Sequence, residues 1–183
     1  MKKSIFVGCA SLLFLLTACA TKTVDLPEST CNTLHDVSSF DITKDASSND
    51  SIPDYLVEDA IDNALDNACF NVDKSAFHNE DNKKLRTVYK IVEDDKSTEG
   101  LLKDTQTKTL KITVTSSLQT IKKQNNEMTK STKYNTQTVI QKIDANQLAG
   151  IGQKASLQNS DIMNALQGAI QTSINTILSN EDK

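Results

Sequence analysis

Residues 110–118 constrain the fold more than any other stretch. Leu110, Ile112, Val114, Ser116 and Leu118 alternate with Lys111, Thr113, Thr115 and Ser117, which is the period-two signature of a strand with one face against a core and one in water. Such a strand needs partners in a sheet and an apolar layer over its Leu/Ile face. The sequence supplies both. Gln124-Asn125-Asn126-Glu127 provides turn residues, and Met128 to Ile143, with Tyr134, Val139 and Ile140, returns as the second arm of a long antiparallel hairpin. Leu85 to Val92 is β-branched and aromatic and predicts another strand. Leu34 to Ile42 predicts a first strand, with Phe40 and Ile42 sharing a face, and Phe70-Asn71-Val72 a short one. Residues 74–83 and the charged stretch from Asp94 to Asp104, with Gly100, read as loops.

Two stripes at helical spacing provide the covering layer. In the first, Val57, Ile61 and Leu65 are joined by Leu56, Ala60, Ala64 and Ala68. Ser51 is the expected cap, Pro53 falls in the first turn, Asp54 takes the capping-box position, and the helix should stop near Asn67 to Cys69. The second stripe starts near Ser160 as cap and carries Ile162, Leu166, Ala169, Ile170, Ile174, Ile177 and Leu178. The order strand, helix, strand, strand, long hairpin, helix predicts an α+β fold: a mainly antiparallel sheet with two amphipathic helices packed on one face. Aromatics are only 4% of the chain and Trp is absent, so the core should be modest and padded by polar strands.

Ahead of these elements stand Lys2-Lys3, an apolar run from Ile5 to Leu16, and small residues before Cys19. That is the layout of an export signal. Its apolar run of roughly a dozen residues is too short for a permanent span, which needs about 20. The ending Leu16-Thr17-Ala18-Cys19 resembles the lipobox of bacterial lipoproteins. The resemblance implies cleavage before Cys19, and a diacylglyceryl group and an N-linked acyl chain such as palmitate on that cysteine, with no other cofactor. Ala20, where an Asp would favour inner-membrane retention, implies the outer membrane. Residues 1–18 are then the signal peptide, 19–33 a lipidated tether, and 34–183 a single α+β periplasmic domain.

The order of elements behind a lipobox resembles small envelope-assembly lipoproteins of the lipopolysaccharide-assembly, penicillin-binding-protein activator and curli-secretion types. It implies an accessory or adaptor subunit of a cell-envelope assembly system. No Gly-Phe pair follows Cys19 as the first of these families would have it, and no functional residue is carried over.

Cys9 lies within the signal, so Cys31 and Cys69 are the thiols left to the body of the protein. Export to an oxidising compartment favours a Cys31–Cys69 disulfide over two free thiols or a metal pair. His35 and His78 offer no metal-ligand spacing. Cys69, at the junction of the first helix and a short strand, falls close to the start of the first strand.

The net charge is -4, and -6 without Lys2 and Lys3; no nucleic-acid partner is expected. Its distribution is uneven. Asp25 to Asp81 holds 14 acids against Lys44 and Lys74, whereas Gln106 to Ile143 holds 7 lysines against Glu127 alone. Lys122, Lys123, Lys130 and Lys133 are therefore the candidate contacts for an anionic ligand, an envelope protein or the acidic half of a second copy. The competing reading is that hairpin lysines deter edge-to-edge aggregation. The acidic side of the first helix, Asp54, Glu58, Asp59, Asp62 and Asp66, reads as a solvated face.

Catalytic signatures are sparse. There is no Gly-x-Ser-x-Gly elbow, neither histidine sits in a motif, and no strand runs directly into Gly150-x-Gly152 as a phosphate loop requires. Asp94-Asp95 lies among lysines. The expectation is a non-catalytic outer-membrane lipoprotein serving an envelope assembly system; the alternatives are a lipopolysaccharide- or glycolipid-binding lipoprotein and a surface-exposed virulence or adhesion lipoprotein.

Overall fold

The computed structural model describes residues 31, 33–73, 81–99, 103–124, 127–148 and 155–180. The elements are β1 (His35–Val37), β2 (Ser39–Lys44), α1 (Asp54–Asp66), β3 (Phe70–Val72), β4 (Asp81–Thr98), β5 (Lys103–Gln124), β6 (Glu127–Leu148) and α2 (Asn159–Ser179). A four-stranded sheet has the order β2-β4-β5-β6, and β1 and β3 form a separate two-stranded sheet. The β4–β5 and β5–β6 ladders are antiparallel, while β2 joins β4 in parallel and β1 joins β3 in parallel. The α+β class and the long hairpin follow the sequence pattern. The parallel edge arises because β2 reaches β4 by way of α1, a crossover that a hairpin does not need.

The alternation in β5 does what its sequence requires. Leu110, Ile112, Val114, Ser116, Leu118 and Thr120 are buried, and the register sets Leu85 beside Leu118, Thr87 beside Ser116, Tyr89 beside Val114 and Ile91 beside Ile112. Against this inner face lies α2, whose Ile162, Leu166, Ile170, Ile174, Ile177 and Leu178 are all buried. Ala60 and Ala64 of α1 and Ala165 of α2 are fully buried in the same core. Small residues permit the two helices a close approach. The core also carries polar links. Ser173 Oγ donates to Ser116 Oγ at 2.9 Å, and the latter lies 3.1 Å from Thr87 Oγ1, so one hydroxyl chain ties α2 to the two central strands and leaves none of them unsatisfied. Asn175 Oδ1 accepts the Cys69 N–H at 3.0 Å, and Gln171 Nε2 donates to the Asn67 carbonyl at 3.3 Å, which fastens the end of α1 to α2.

Several local expectations are corrected. The single strand over 34–42 is two: at Ser38 the chain leaves one sheet for the other, with the Ser38 N–H donating to the Lys83 carbonyl at 2.8 Å and its hydroxyl reaching the same oxygen at 2.6 Å. Ser51 does not cap α1. Its hydroxyl donates to Glu93 Oε2 at 2.8 Å, and Pro53 precedes the first helical residue without a side-chain cap bond. Ser160 lies inside the first turn of α2, behind Gln158. The charged residues 94–98 continue β4, since each pairs with β5 between Thr105 and Thr109. At its other end β4 begins at Asp81, inside the expected loop, and β6 runs on to Leu148. Ladder partners and β-branched neighbours outweigh the loop-like composition of these ends.

Cys31 and Cys69 form the expected disulfide, with Cα atoms 5.3 Å apart. Beside it the His35 N–H donates to the Cys69 carbonyl at 3.0 Å, and the Phe40 and Phe70 rings meet with centroids 5.2 Å apart. The bridge closes where the chain enters the domain and α1 leaves the helical layer.

Candidate partner-binding face

Because both helices lie on one side, the opposite side of the four-stranded sheet has no helix or strand over it among the described residues. Side chains alternate across a strand, so the residues there follow from the register. They are Ser39, Asp41 and Thr43 of β2; the even-numbered residues of β4; the odd-numbered ones of β5; and the even-numbered ones of β6. Threonines fill the middle: Thr107, Thr109, Thr113 and Thr115 on β5, and Thr132, Thr136 and Thr138 on β6. Thr115 Oγ1 and Thr136 Oγ1 lie 3.1 Å apart across the ladder.

The charge on this face is one-sided. Its acids Asp41, Asp94 and Asp144 are each engaged, by Arg86 at 3.6 Å, Lys96 at 3.3 Å and Lys142 at 3.4 Å. Asp144 also accepts the Thr107 hydroxyl at 2.6 Å, and that bond, with Lys142, holds its carboxyl below the usual value. Exposed pairs of this kind contribute little stability, yet they neutralise the anions. Lys84, Lys90, Lys111, Lys123 and Lys130 are left on the same face, and none of them is in an ion pair among the described residues. Three large apolar side chains, Met128, Tyr134 and Ile140, stand out of β6 beside them, 60% or more exposed.

The four lysines singled out from sequence do not form one cluster. Lys123 and Lys130 belong to the open face. Lys122 has the parity of the buried row and emerges at its end. Lys133 sits next to Leu118 on the helix side, and its Nζ donates to the Asn180 carbonyl at 2.6 Å, a cation at the negative end of α2. Lys84, Arg86 and Lys90 were missed because they belong to β4, outside the Lys-rich hairpin window. Their signal is the parity switch within Lys83–Val92, where Leu85, Tyr89 and Ile91 face inward and the even residues outward.

The acids of α1 lie on the far side of the molecule. Asp54, Glu58, Asp59, Asp62 and Asp66 are exposed on the helical layer, so the acidic face of α1 and the lysines of the open sheet face lie on opposite sides of one body. A second acidic spot is an open cleft of about 270 Å³ lined by Asn49, Asp50, Ser51, Glu93 and Asp95. Two of its three acids are engaged: Lys44 Nζ lies 3.0 Å from Asp50 Oδ2 and Lys108 Nζ 3.8 Å from Glu93 Oε2, and the hydrogen bond to Asp50 raises Lys44 above its ordinary value. Among the described residues no group of three or more His, Cys, Asp or Glu is arranged to hold a metal ion. The lipobox-like residues Leu16 to Cys19, with His78, Gly100, Asn125, Asn126, Gly150 and Gly152, lie outside the described residues.

No family model and no curated protein matches this chain. Among solved structures, the crystal structure of a protein described as a neuraminyllactose-binding hemagglutinin homolog from Helicobacter pylori is similar, with a TM-score of 0.40 and 13% identity, over 85% of this chain and 89% of that one.

Proposed function

We propose that this chain is a non-catalytic lipoprotein, held by acylated Cys19 at the outer membrane and facing the periplasm. There its open sheet face docks an anionic protein of a cell-envelope assembly system. The observation that carries the reading is the uncovered face itself, with Lys84, Lys90, Lys111, Lys123 and Lys130 unpaired over a floor of threonine hydroxyls. Lysines are hydrated point charges on flexible stems, suited to steering and holding a diffuse negative surface rather than to reading one bidentate group. A tether of about a dozen residues, at roughly 3.3 Å each, confines the contact to within some tens of ångströms of the membrane.

The test is affinity capture of the full chain from crosslinked membranes, comparing it with the variant Lys84→Glu, Lys90→Glu, Lys111→Glu, Lys123→Glu. A specific co-purifying protein should fall at least tenfold, while reversing Asp59 and Asp62 on α1 leaves the yield unchanged. Equal recovery from both variants refutes the docking face. Binding of the purified chain to lipopolysaccharide vesicles, abolished by salt and present without any protein partner, assigns the face to a glycolipid instead. Labelling of an unmodified Cys19 in membranes by a thiol reagent refutes the anchor.

A further inference from the structure

The four-stranded sheet ends in two unequal edges. One is β2, six residues long. The other is β6, whose 22 residues are paired on one side only, with β5. Among the described residues no other backbone group bonds to β6, and the Asn135 carbonyl takes a side-chain bond from Ser173 Oγ at 3.3 Å. A long open edge is a template for another strand, and proteins ordinarily blunt it with Pro, bulges or inward charges. This edge holds no Pro, its register against β5 is continuous from Glu127 to Leu148, and its inward-side Lys133 is tied to the Asn180 carbonyl.

The sequence of β6 is also complementary to itself. Turned antiparallel about Gln137, it sets Tyr134 against Ile140 of a second copy, and Ile140 against that copy's Tyr134. Lys130 then faces Asp144, and Asp144 faces Lys130. All four lie on the open face. An aromatic residue opposite a β-branched one and a cation opposite an anion are the favourable cross-strand combinations. No like charges meet in this register: Lys133 faces Gln141, Lys142 faces Thr132, and Glu127 faces Gln147. The overlap uses nearly the whole strand, and Tyr134 and Ile140, now 72% and 60% exposed, gain cover twice over.

We infer that two copies of this chain pair through β6 across a two-fold axis at Gln137, making one continuous eight-stranded sheet. A two-fold pairing is closed, so it makes dimers rather than fibres. The inference is tested apart from the docking reading: of that reading's five lysines it uses Lys130, which the docking variant leaves in place.

The test is oxidative crosslinking of the full-length chain in cell membranes, with Gln137→Cys as reporter and non-reducing gels as readout. Gln137→Cys should give a disulfide-linked dimer, whereas Lys111→Cys, one strand in from the edge on β5, should not. On the Gln137→Cys background, Lys130→Asp or Asp144→Lys should each cut the dimer several-fold, and combining the two should restore it, because the swapped charges face each other again. Native mass spectrometry of the purified wild-type chain should show dimers without any crosslink. Monomer alone by both readouts, or a dimer yield insensitive to the charge swaps, overturns the pairing.

Discussion

Replacing Cys31 and Cys69 by serine tests how the chain's entry point is held. The bridge spans a sequence separation of 38, and the chain-entropy relation for a loop of that size gives about 4 kcal/mol. That is a large share of the ~5–15 kcal/mol by which domains are usually stable. At about 2–4 °C per kcal/mol for a domain of this size, the melting temperature should drop by roughly 8–15 °C. The loss should also be uneven. Strands β1 and β3 are three residues each, too short to persist as an isolated pair, and they depend on the His35–Cys69 hydrogen bond, the Phe40–Phe70 contact and the bridge. Circular dichroism melts of the wild type, the double serine variant and the wild type in reductant measure the first effect. Amide exchange measures the second, with His35 and Val37 losing protection while Ile112 and Val114 retain it. A change in melting temperature below about 2 °C, or uniform loss of protection, refutes the reasoning.

Two further outcomes follow from the core. Ser116→Ala removes the middle of the Thr87–Ser116–Ser173 chain and leaves the buried Thr87 hydroxyl without its partner, which should cost about 1–3 kcal/mol; urea unfolding at unchanged m-value checks it, and a loss under about 0.5 kcal/mol contradicts it. Tyr89, 7% exposed, has its phenol pushed above the ordinary value of 10.0 chiefly by burial. This group therefore contributes stability that is whole below pH 10 and is lost as pH rises through the folded-state pKa. Tyr89→Phe should flatten the fall in melting temperature as pH rises past the ordinary tyrosine value of 10.0, and identical slopes for the two proteins would exclude Tyr89 as a cause.

The α+β class, the hairpin, both helices and the disulfide were legible because each rests on a local period or on the redox logic of export. Helix starts were less legible. Ser51 and Ser160 have the chemistry of caps, but Ser51 has a competing partner in Glu93, a residue 42 positions away, that no window of sequence brings into view. The break at Ser38 was hidden for the same reason: what divides Leu34 to Ile42 is a bond to Lys83 in another strand.

The lysines make the clearest case of what linear reading confuses. A charge count along the chain groups residues by proximity in sequence, and it placed Lys122, Lys123, Lys130 and Lys133 together. A sheet groups residues by parity and register instead. Neighbours in sequence such as Lys122 and Lys123 are sent to opposite sides, whereas Lys90 and Lys111, 21 positions apart, share a face. The same rule sends Lys133 under the sheet to the end of α2, where it satisfies a carbonyl rather than a partner. Among the described residues it also collects five lysines outside any ion pair on the surface that the helices leave bare. Any reversal experiment confined to the four sequence-chosen lysines would mix a helix-end contact, a sheet-edge contact and an open-face contact in one phenotype. The docking and pairing proposals are independently refutable because the docking reversal leaves Lys130 in place and the pairing charge swaps alter only Lys130 and Asp144.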